Sequence, residues 1–574
     1  MPDLSQKHAA ICLNMIVRNE ANLVCEALDS LAPYISSWVI VDTGSDDGTQ
    51  DVVRDHMASL GIPGELHERP WRDFGSNRTE ALNLAQGHGD YIWVMDADDI
   101  LVGTPELGNL EAGCYSLRYQ MGDVTWWRLQ LFRDGLPWRY EGAVHETPAC
   151  DSSFTVARLE GGYYIDYRQM GARSLSDQKY ARDAEVLLAE LERNPNDLRS
   201  MRFLAQCYFN SGDHFNARKW NMRQVELGSK SYLVLQQIAM SMQQLGEPWP
   251  DVQDAYLRAW EFQPNRAEPL YSIAELYRIE GRFQLGYLFA ARAAEIPPPE
   301  GEEIFVWSDV YAWRAVDEQA VCASQLGRHA EAFALCRGVV ARPDVPDDER
   351  QRVAGNRDFS VPAMLDVASV YPGELVGGLV AGLREAEVTV GLVAGSDRDV
   401  VELMLNSFVN CCADVSRVGR FVLVDVGLSA VDRAVLAERY GFVEFIDADA
   451  GGEGDDQLAR LCAEAGGRYL LYLGSGWRFF APEAYIARLT AVLSAEQDVY
   501  QVGVNFMDAL TPIGACASEE VVRRTADAGR YVLADRVTLG PAMYDTERFD
   551  DREGLGTATL DEVLCVLGGA PYLT

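Results

Sequence analysis

Short apolar runs alternate with amphipathic stretches through the first hundred residues. Ile11-Cys12-Leu13-Asn14-Met15-Ile16-Val17 is strand-like and passes through Arg18-Asn19-Glu20 into a helical spacing of Leu23, Ala27, Leu28 and Leu31. Trp38-Val39-Ile40-Val41 ends in Asp42-Thr43-Gly44-Ser45-Asp46-Asp47-Gly48-Thr49, and Val52, Val53 and Met57 then mark a second helix. A further run, Tyr91-Ile92-Trp93-Val94-Met95, stops abruptly at Asp96-Ala97-Asp98-Asp99. Strand, polar turn and helix in alternation predict a parallel sheet with ligands outside the carboxyl ends of its strands. Asp42 and Asp96 both stand at such ends.

From about Ser174 to Ala341 the pattern changes to a 3.6-residue period and repeats itself. Ala205, Tyr208 and Gly212 recur as Ala239, Met242 and Gly246, then as Ala274, Tyr277 and Gly281, with a looser copy at Ala320, Ala323 and Gly327. A small residue lets helices approach, a large one follows three positions on, and a glycine ends the helix. This order predicts tetratricopeptide-like helix pairs, with an ordinary helical bundle as the alternative. Pro195, Pro264 and Pro343 fall near the breaks between units. Stacked helix pairs commonly hold peptides or proteins, so the acceptor or partner of such a region is expected to be a polypeptide. A purely architectural role stays open.

After a stretch rich in Pro, Gly and Asp (Arg342 to Asn356) the α/β pattern returns. Val388 to Val393 lies on Ile11 to Ile16 without gaps, Leu405 falls on Leu28, and Ser407 on Ser30. Val422-Leu423-Val424-Asp425 repeats Ile40-Val41-Asp42 in type. Placing Tyr469 on Tyr91 puts Gly474 on Asp96, Gly476 on Asp98, Trp477 on Asp99, and Asp456 where Arg78 stands. The expectation is a second copy of the first domain without its acidic tip, serving in dimerisation or acceptor docking. The alternatives are an unrelated doubly wound domain, or a second metal-independent catalyst with Asp425 and Asp447 or Asp449 as its acids.

At 574 residues the chain is expected to form about three or four domains. The 48% hydrophobic content is enough for packed cores. Lys and Arg number 50 against 87 Asp and Glu, so the net charge is 50 − 87 = −37. Such a surface repels phosphate backbones and anionic lipid, which argues against nucleic acid or a membrane as partner. No segment approaches the ~20 apolar residues of a spanning helix, and the amino terminus shows no signal peptide. The twelve cysteines are scattered without a CxxC pair. They are read as reduced core residues of a cytoplasmic protein, in a bacterium or a phage-infected cell, rather than as disulfides or zinc ligands.

Carboxylates at the end of a buried strand are costly unless something pairs with them. Two at i, i+2, as in Asp96 and Asp98, can grip a divalent cation, because hard cations take oxygen ligands. An acidic cap on a strand-to-helix turn is the plainer reading. Context favours the first. LNMIVRNE, VIVDTGSDDGT, a helix carrying Arg78, WVMDADD and LQLFRDGLPWRYEGAVHE (Leu129 to Glu146) together resemble the family 2-type inverting glycosyltransferases of GT-A fold. With the helical repeat, the chain is similar to soluble bacterial peptide and protein glycosyltransferases.

The resemblance implies a metal-dependent transfer from a nucleotide-sugar, most often a UDP-sugar, with Mn²⁺ or Mg²⁺ as cofactor. Val17 and Glu20 would lie beside base and ribose, and Asp42 would hydrogen-bond one of them. Arg78 would reach the nucleotide or its phosphates, and Asp96 the donor ribose or sugar. Asp98 would be the principal metal ligand, aided by Asp96 and His145. Glu146 and Glu141 are both candidate bases, since inversion needs one carboxylate within reach of the attacking atom. Family members often carry Asn directly after the arginine; here that position is Thr79. Trp126, Trp127 and Trp138 are candidates for packing under a sugar, with core packing expected for at least two.

The expected architecture is thus α/β plus all-α: a GT-A domain over 1–172, helical repeats over 173–345, a linker over 346–385, and a second GT-A-like domain over 386–574. The expected activity is sugar transfer to a Ser or Thr hydroxyl or a Cys thiol of a polypeptide, with homodimerisation open. Two rivals remain at this point: an interaction scaffold with a vestigial nucleotide site, and a transferase acting on a small glycan.

Overall fold

The computed structural model describes residues 9–121, 124–168, 170, 179–299, 306–380, 387–448, 454–506, 515–534, 536–537, 540–550 and 552–568. The chain divides into two compact units, Met1–Ala259 and Trp260–Thr574.

The first unit begins with β1 (Ile11–Val17), α1 (Val24–Leu31), β2 (Ser37–Asp42), α2 (Thr49–Leu60), β3 (Gly64–Glu68), α3 (Phe74–Ala85) and β4 (Tyr91–Val94). Then follow β5 (Ile100–Pro105), β6 (Cys114–Met121), β7 (Val124–Arg133), β8 (Trp138–Glu141), β9 (Thr147–Cys150), β10 (Val156–Arg158) and β11 (Gly161–Asp166). The main sheet has the order β3-β2-β1-β4-β7-β6-β11-β5, with β10 beside β6. β1 to β4 are mutually parallel, β7 runs against β4, and β8 with β9 forms a separate hairpin. Both faces of the parallel strands are covered, which explains their unbroken apolar runs. Ile11, Leu13, Met15 and Val17 pack with α1 and α2, while Cys12 packs toward α3. Asn14, buried on that second face, donates to the carbonyls of Val39 at 3.0 Å and Ala81 at 3.1 Å, tying β1 to β2 and α3. Chain order reverses between β1 and β4, and such a switch point is where open α/β sheets leave a crevice.

Helices follow: α4 (Lys179–Arg193), α5 (Leu198–Asn210), α6 (His214–Glu226), α7 (Tyr232–Gln244), α8 (Trp249–Phe262), α9 (Glu268–Ile279), α10 (Phe283–Ala294), α11 (Ala315–Gln325) and α12 (His329–Val340). The recurring alanines, Ala205, Ala239, Ala274 and Ala320, are all fully buried. The recurring glycines adopt left-handed backbone, at φ 81°, 68°, 72° and 75° for Gly212, Gly246, Gly281 and Gly327. The residue after each glycine donates to the carbonyl five positions back: Asp213 to Tyr208, Glu247 to Met242, Arg282 to Tyr277 and Arg328 to Ala323. All four copies therefore end their first helix in the same Schellman cap, the looser fourth included. The expected start of this region, Ser174, lies outside the described residues.

The stretch expected as a linker is helical instead. It holds α13 (Asp347–Asp358), α14 (Val361–Ala368) and α15 (Gly373–Val380). The buried Arg350 guanidinium donates to the carbonyls of Val340, Arg342 and Val345, which anchors α13 to the end of α12. Arg350, Arg357 and Asp358 are buried, while Asp347, Asp348, Gln351 and Arg352 stay exposed.

The rest of the second unit comprises β12 (Val388–Ala394), α16 (Arg398–Cys411), β13 (Val418–Asp425), α17 (Ala430–Arg439), β14 (Val443–Asp447), α18 (Gly454–Glu464) and β15 (Tyr469–Tyr472). β16 (Trp477–Phe479), α19 (Tyr485–Ala495), β17 (Val499–Gly503), β18 (Arg523–Thr525), β19 (Gly529–Ala534), β20 (Ala542–Asp545), α20 (Thr546–Asp550), β21 (Gly556–Leu560) and β22 (Cys565–Leu567) complete it. Its sheet runs β14-β13-β12-β15-β20-β17-β21-β19-β18. Along the first eight strands the succession of parallel and antiparallel pairings equals that of the first sheet. One strand differs in chain order, since β5 precedes β6 whereas its counterpart β19 follows β17. Ile11 pairs with Tyr91, and Val388 pairs with Tyr469, so the gapless register read from the sequence is the register of the sheets.

None of the twelve cysteines is in a disulfide. Among the described residues no helix is long and apolar enough to cross a membrane.

Candidate active site

Two turns at the carboxyl edge of the first sheet interlock. The Asn19 side chain accepts from the Asp46 N–H at 3.0 Å, the Asn19 N–H donates to Ser45 Oγ at 2.9 Å, and the Glu20 N–H donates to Thr49 Oγ1 at 2.9 Å. Asn19 sits at φ 58°, a left-handed conformation that asparagine tolerates. Val17 is buried, and its carbonyl accepts from the Thr43 N–H. Asp42, only 1% exposed, uses Oδ1 for the N–H groups of Gly44 and Ser45 and for the Gln50 amide, all at 2.9–3.0 Å. Its Oδ2 is buried and has no hydrogen-bond partner. A buried carboxylate oxygen left open at a switch point is costly for the apoprotein and suited to a donor on a ligand.

Arg78 reaches from α3 into the same region. Asp73 caps the helix, accepting the Ser76 N–H at 2.7 Å. The guanidinium, 8% exposed, donates through Nη2 to Asp96 Oδ1 and through Nε to Glu146 Oε1 at 2.6 Å. Arg128, on β7, approaches Asp96 Oδ2 at 3.6 Å and lies over the Tyr119 ring, 5.1 Å from its centre. Burial works against the charge on Asp96, but Arg78 and then Arg128 hold its carboxyl below the usual range. Burial likewise opposes the Arg78 charge, and Asp96 and Glu146 outweigh it.

Asp99 is fully buried, and neither of its oxygens has a hydrogen-bond partner. Burial first, then the Asp96 and Asp98 charges, push it up to about 9. Asp98 is half-buried beside it. The tip is built of carboxylate oxygens, the donor type that a hard divalent cation takes.

Glu146 lies on the turn between β8 and β9, and that turn is held from two sides. Gly75 packs so closely on it that a Cβ would meet the Gly142 carbonyl at 2.4 Å. The Thr79 hydroxyl accepts from the Tyr140 N–H at 2.9 Å and donates to the Gly75 carbonyl at 2.7 Å. Where the resembling family often carries Asn, threonine here pins the start of the turn. From α5, Arg199 donates to the carbonyls of Glu141, at 2.6 Å, and His145.

The structure thus brings Arg78, Asp96 and Glu146 together and places Asp42, Val17 and Glu20 along the same strand edge. It does not gather Asp96, Asp98 and His145 as one set of metal ligands. Asp96 is engaged by two arginines, and the His145 ring stacks on Phe203 at 4.3 Å, with Asp183 and Cys207 within 4.8 Å of its ligand atom. Glu141 is exposed and pairs with Arg139 at 2.6 Å. Trp138 is buried against Phe132 and Phe154, and Trp126 packs on Tyr119 and Tyr167, so both serve the core. Trp127 instead carries the Arg158 guanidinium over its ring at 4.7 Å. Arg128 and Arg199 escaped the sequence reading. The first had a signal, a lone charge inside the apolar strand Trp126-Trp127-Arg128-Leu129; the second had none.

Residues 12–104 match the family described as Glycosyl transferase family 2. A TPR repeat-containing protein of Synechococcus elongatus is 27% identical over 320 residues, covering 50% of this chain and 76% of its own. Among solved structures, YrrB, described as a TPR protein with an unusual peptide-binding site, gives a TM-score of 0.26 at 13% identity, covering 41% of this chain and 96% of its own. MamA gives 0.24 at 15% identity, covering 29% and 91%. At such scores these two carry no argument, and the helical repeat stands on its four matching caps and the Synechococcus relative. The chain joins an amino-terminal glycosyl transferase family 2 domain to tetratricopeptide-like repeats and a second sheet domain.

Proposed function

We propose that the protein is a metal-dependent inverting glycosyltransferase that moves a sugar from a nucleotide-sugar, most simply a UDP-sugar, to a Ser, Thr or Cys side chain of a polypeptide. The observation that carries this reading is the Arg78 guanidinium joined to Asp96 and Glu146 at the end of β4, across β1 from the open oxygen of Asp42. Asp42 Oδ2 accepts a donor N–H or O–H of the nucleotide, with Val17 and Glu20 flanking it. Asp98 is the principal ligand of Mn²⁺ or Mg²⁺, which when bound supplies positive charge against the donor diphosphate. Asp96, locked by Arg78 and Arg128, orients the donor ribose or sugar and stays ionised. Of the two candidate bases, Glu146 stands in the arginine cluster while Glu141 stands on an exposed edge, so the acceptor proton goes to Glu146. The repeats dock the acceptor polypeptide, in keeping with the TPR relative. Free, mostly buried thiols support a cytoplasmic setting.

Turnover of UDP-sugars with Mn²⁺ present tests the reading. Asp98→Ala should lose on the order of 10²–10³ in kcat, the scale for removing one electrostatic element; activity near wild type would remove the metal role. Glu146→Gln should lower kcat and spare KM for the donor, with Glu141→Gln close to wild type. Calorimetry with UDP separates the scaffold reading, which requires that no metal-dependent heat appears.

A further inference from the structure

The turn that carries Glu146 holds a second constellation, made from residues with no part in the site above. His145 adopts a left-handed backbone at φ 54°, and its ring is stacked on Phe203 at 4.3 Å and an interplanar angle of 17°. Phe203 is on α5, one turn before Cys207 and one turn after Arg199, which itself holds the His145 carbonyl. One face of one helix thus fixes both the backbone and the ring of this histidine. Asp183 projects from α4, and both Asp183 and Cys207 are buried, at 4% and 2% exposed. One ligand atom from each of His145, Asp183 and Cys207 lies within 4.8 Å of the other two, and no other group of three such side chains does so among the described residues.

The donor types decide which ion suits them. The thiolate is soft, the imidazole borderline and the carboxylate hard, and the first two favour Zn²⁺ over Mn²⁺ or Mg²⁺. Three protein ligands leave a fourth tetrahedral position for water, and the exposed His145 side gives the ion a way in.

We propose that His145, Asp183 and Cys207 form a Zn²⁺ site, distinct from the acidic tip at Asp98, that clamps the turn bearing Glu146 to the first helix pair. At Cys207 this revises the sequence expectation of a core thiol with no metal role. The clamp fixes the residue next to Glu146, so it sets the position of that carboxylate without touching substrate. His145, Asp183 and Cys207 are positioning residues, and the site does not depend on the amino-terminal domain being a transferase.

The test uses the full chain, stripped with chelator and desalted. Titration with Zn²⁺ should show one tight site per chain, and Co²⁺ in its place should give a thiolate-to-cobalt charge-transfer band. Cys207→Ala and Asp183→Asn should each weaken Zn²⁺ binding by about a hundredfold or more, since even an outer partner of a ligand is worth about 10–100-fold. Asp98→Ala should bind Zn²⁺ like wild type. If Cys207→Ala fails to fold, the wild-type cobalt spectrum still decides, because a site without thiolate gives no such band. Absence of stoichiometric Zn²⁺ binding, or binding that ignores both substitutions, overturns the proposal and leaves a histidine packed beside a carboxylate and a thiol.

Discussion

Asp42 and Asp425 close the same turn in two sheets of the same strand order, yet only Asp42 keeps an oxygen to spare. Each accepts, through Oδ1, the N–H groups two and three positions on: Gly44 and Ser45 in one case, Gly427 and Leu428 in the other. Each pairs with the end of the first strand, Val17 or Ala394. Eight positions on, the first turn has Gln50 and the second has Arg433. Gln50 donates to Oδ1 and leaves Oδ2 open, whereas Arg433 takes Asp425 Oδ2 at 3.3 Å and also binds Asp447. Asp425 and Asp447, the acids of the alternative second catalyst, share the Arg433 guanidinium; Asp449 lies outside the described residues.

The strand tips part in the same way. After β4 come Asp96, faced by Arg78 and Arg128, and Asp98. After β15 come Gly474 and Gly476, in left-handed backbone at φ 70° and 77°. A Cβ on Gly474 would meet the Trp477 ring at 2.7 Å, and Trp477 is itself buried. Main-chain register has survived between the two sheets while side chains filled one crevice and left the other open. Backbone hydrogen bonds preserve a fold with little regard to side chain; a ligand site needs particular atoms left unsatisfied.

The contrast can be broken at several points. Arg78→Met should have the largest effect, because it strands Asp96 and Glu146: a stability loss of about 3–5 kcal/mol, read in urea melts, together with loss of turnover. The deletion has no counterpart in the second domain. Next, Gly474→Asp with Gly476→Asp should fail to create a second Mn²⁺ site and should cost about 1–3 kcal/mol per position through left-handed strain, more at Gly474 where Trp477 must move. Recovery of stoichiometric Mn²⁺ binding in an Asp98→Ala background would show the two tips to be interchangeable. A smaller effect is expected of Asp42→Asn: nucleotide affinity about tenfold weaker, about 1.4 kcal/mol, with a melting temperature close to wild type. Arg433→Met should do least. It opens Asp425 Oδ2 at a half-buried arginine and should change thermal stability little and donor affinity not at all; a new UDP site in calorimetry would mean that one arginine alone silences the second crevice.

Much of this was legible along the chain because it is local. Period and punctuation gave the strands, the four glycine caps and the register of the two sheet domains, since each depends on residues a few positions apart. The acidic tip and the place of Asp42 at a strand end followed from the same reading. The segment after α12 reads as a linker by composition but is helical, with Arg350 turned inward onto three carbonyls, and composition does not say which way a guanidinium points. Tertiary structure alone decided that Arg78 meets Glu146 across 68 positions and that Arg199 holds the turn of Glu141 and His145. It alone turned His145 toward Asp183 and Cys207 instead of Asp98. The physical reason is common to all three. Local sequence fixes backbone elements and their buried faces, whereas the meeting of two polar side chains from distant elements depends on how those elements pack, and no short-range pattern encodes that.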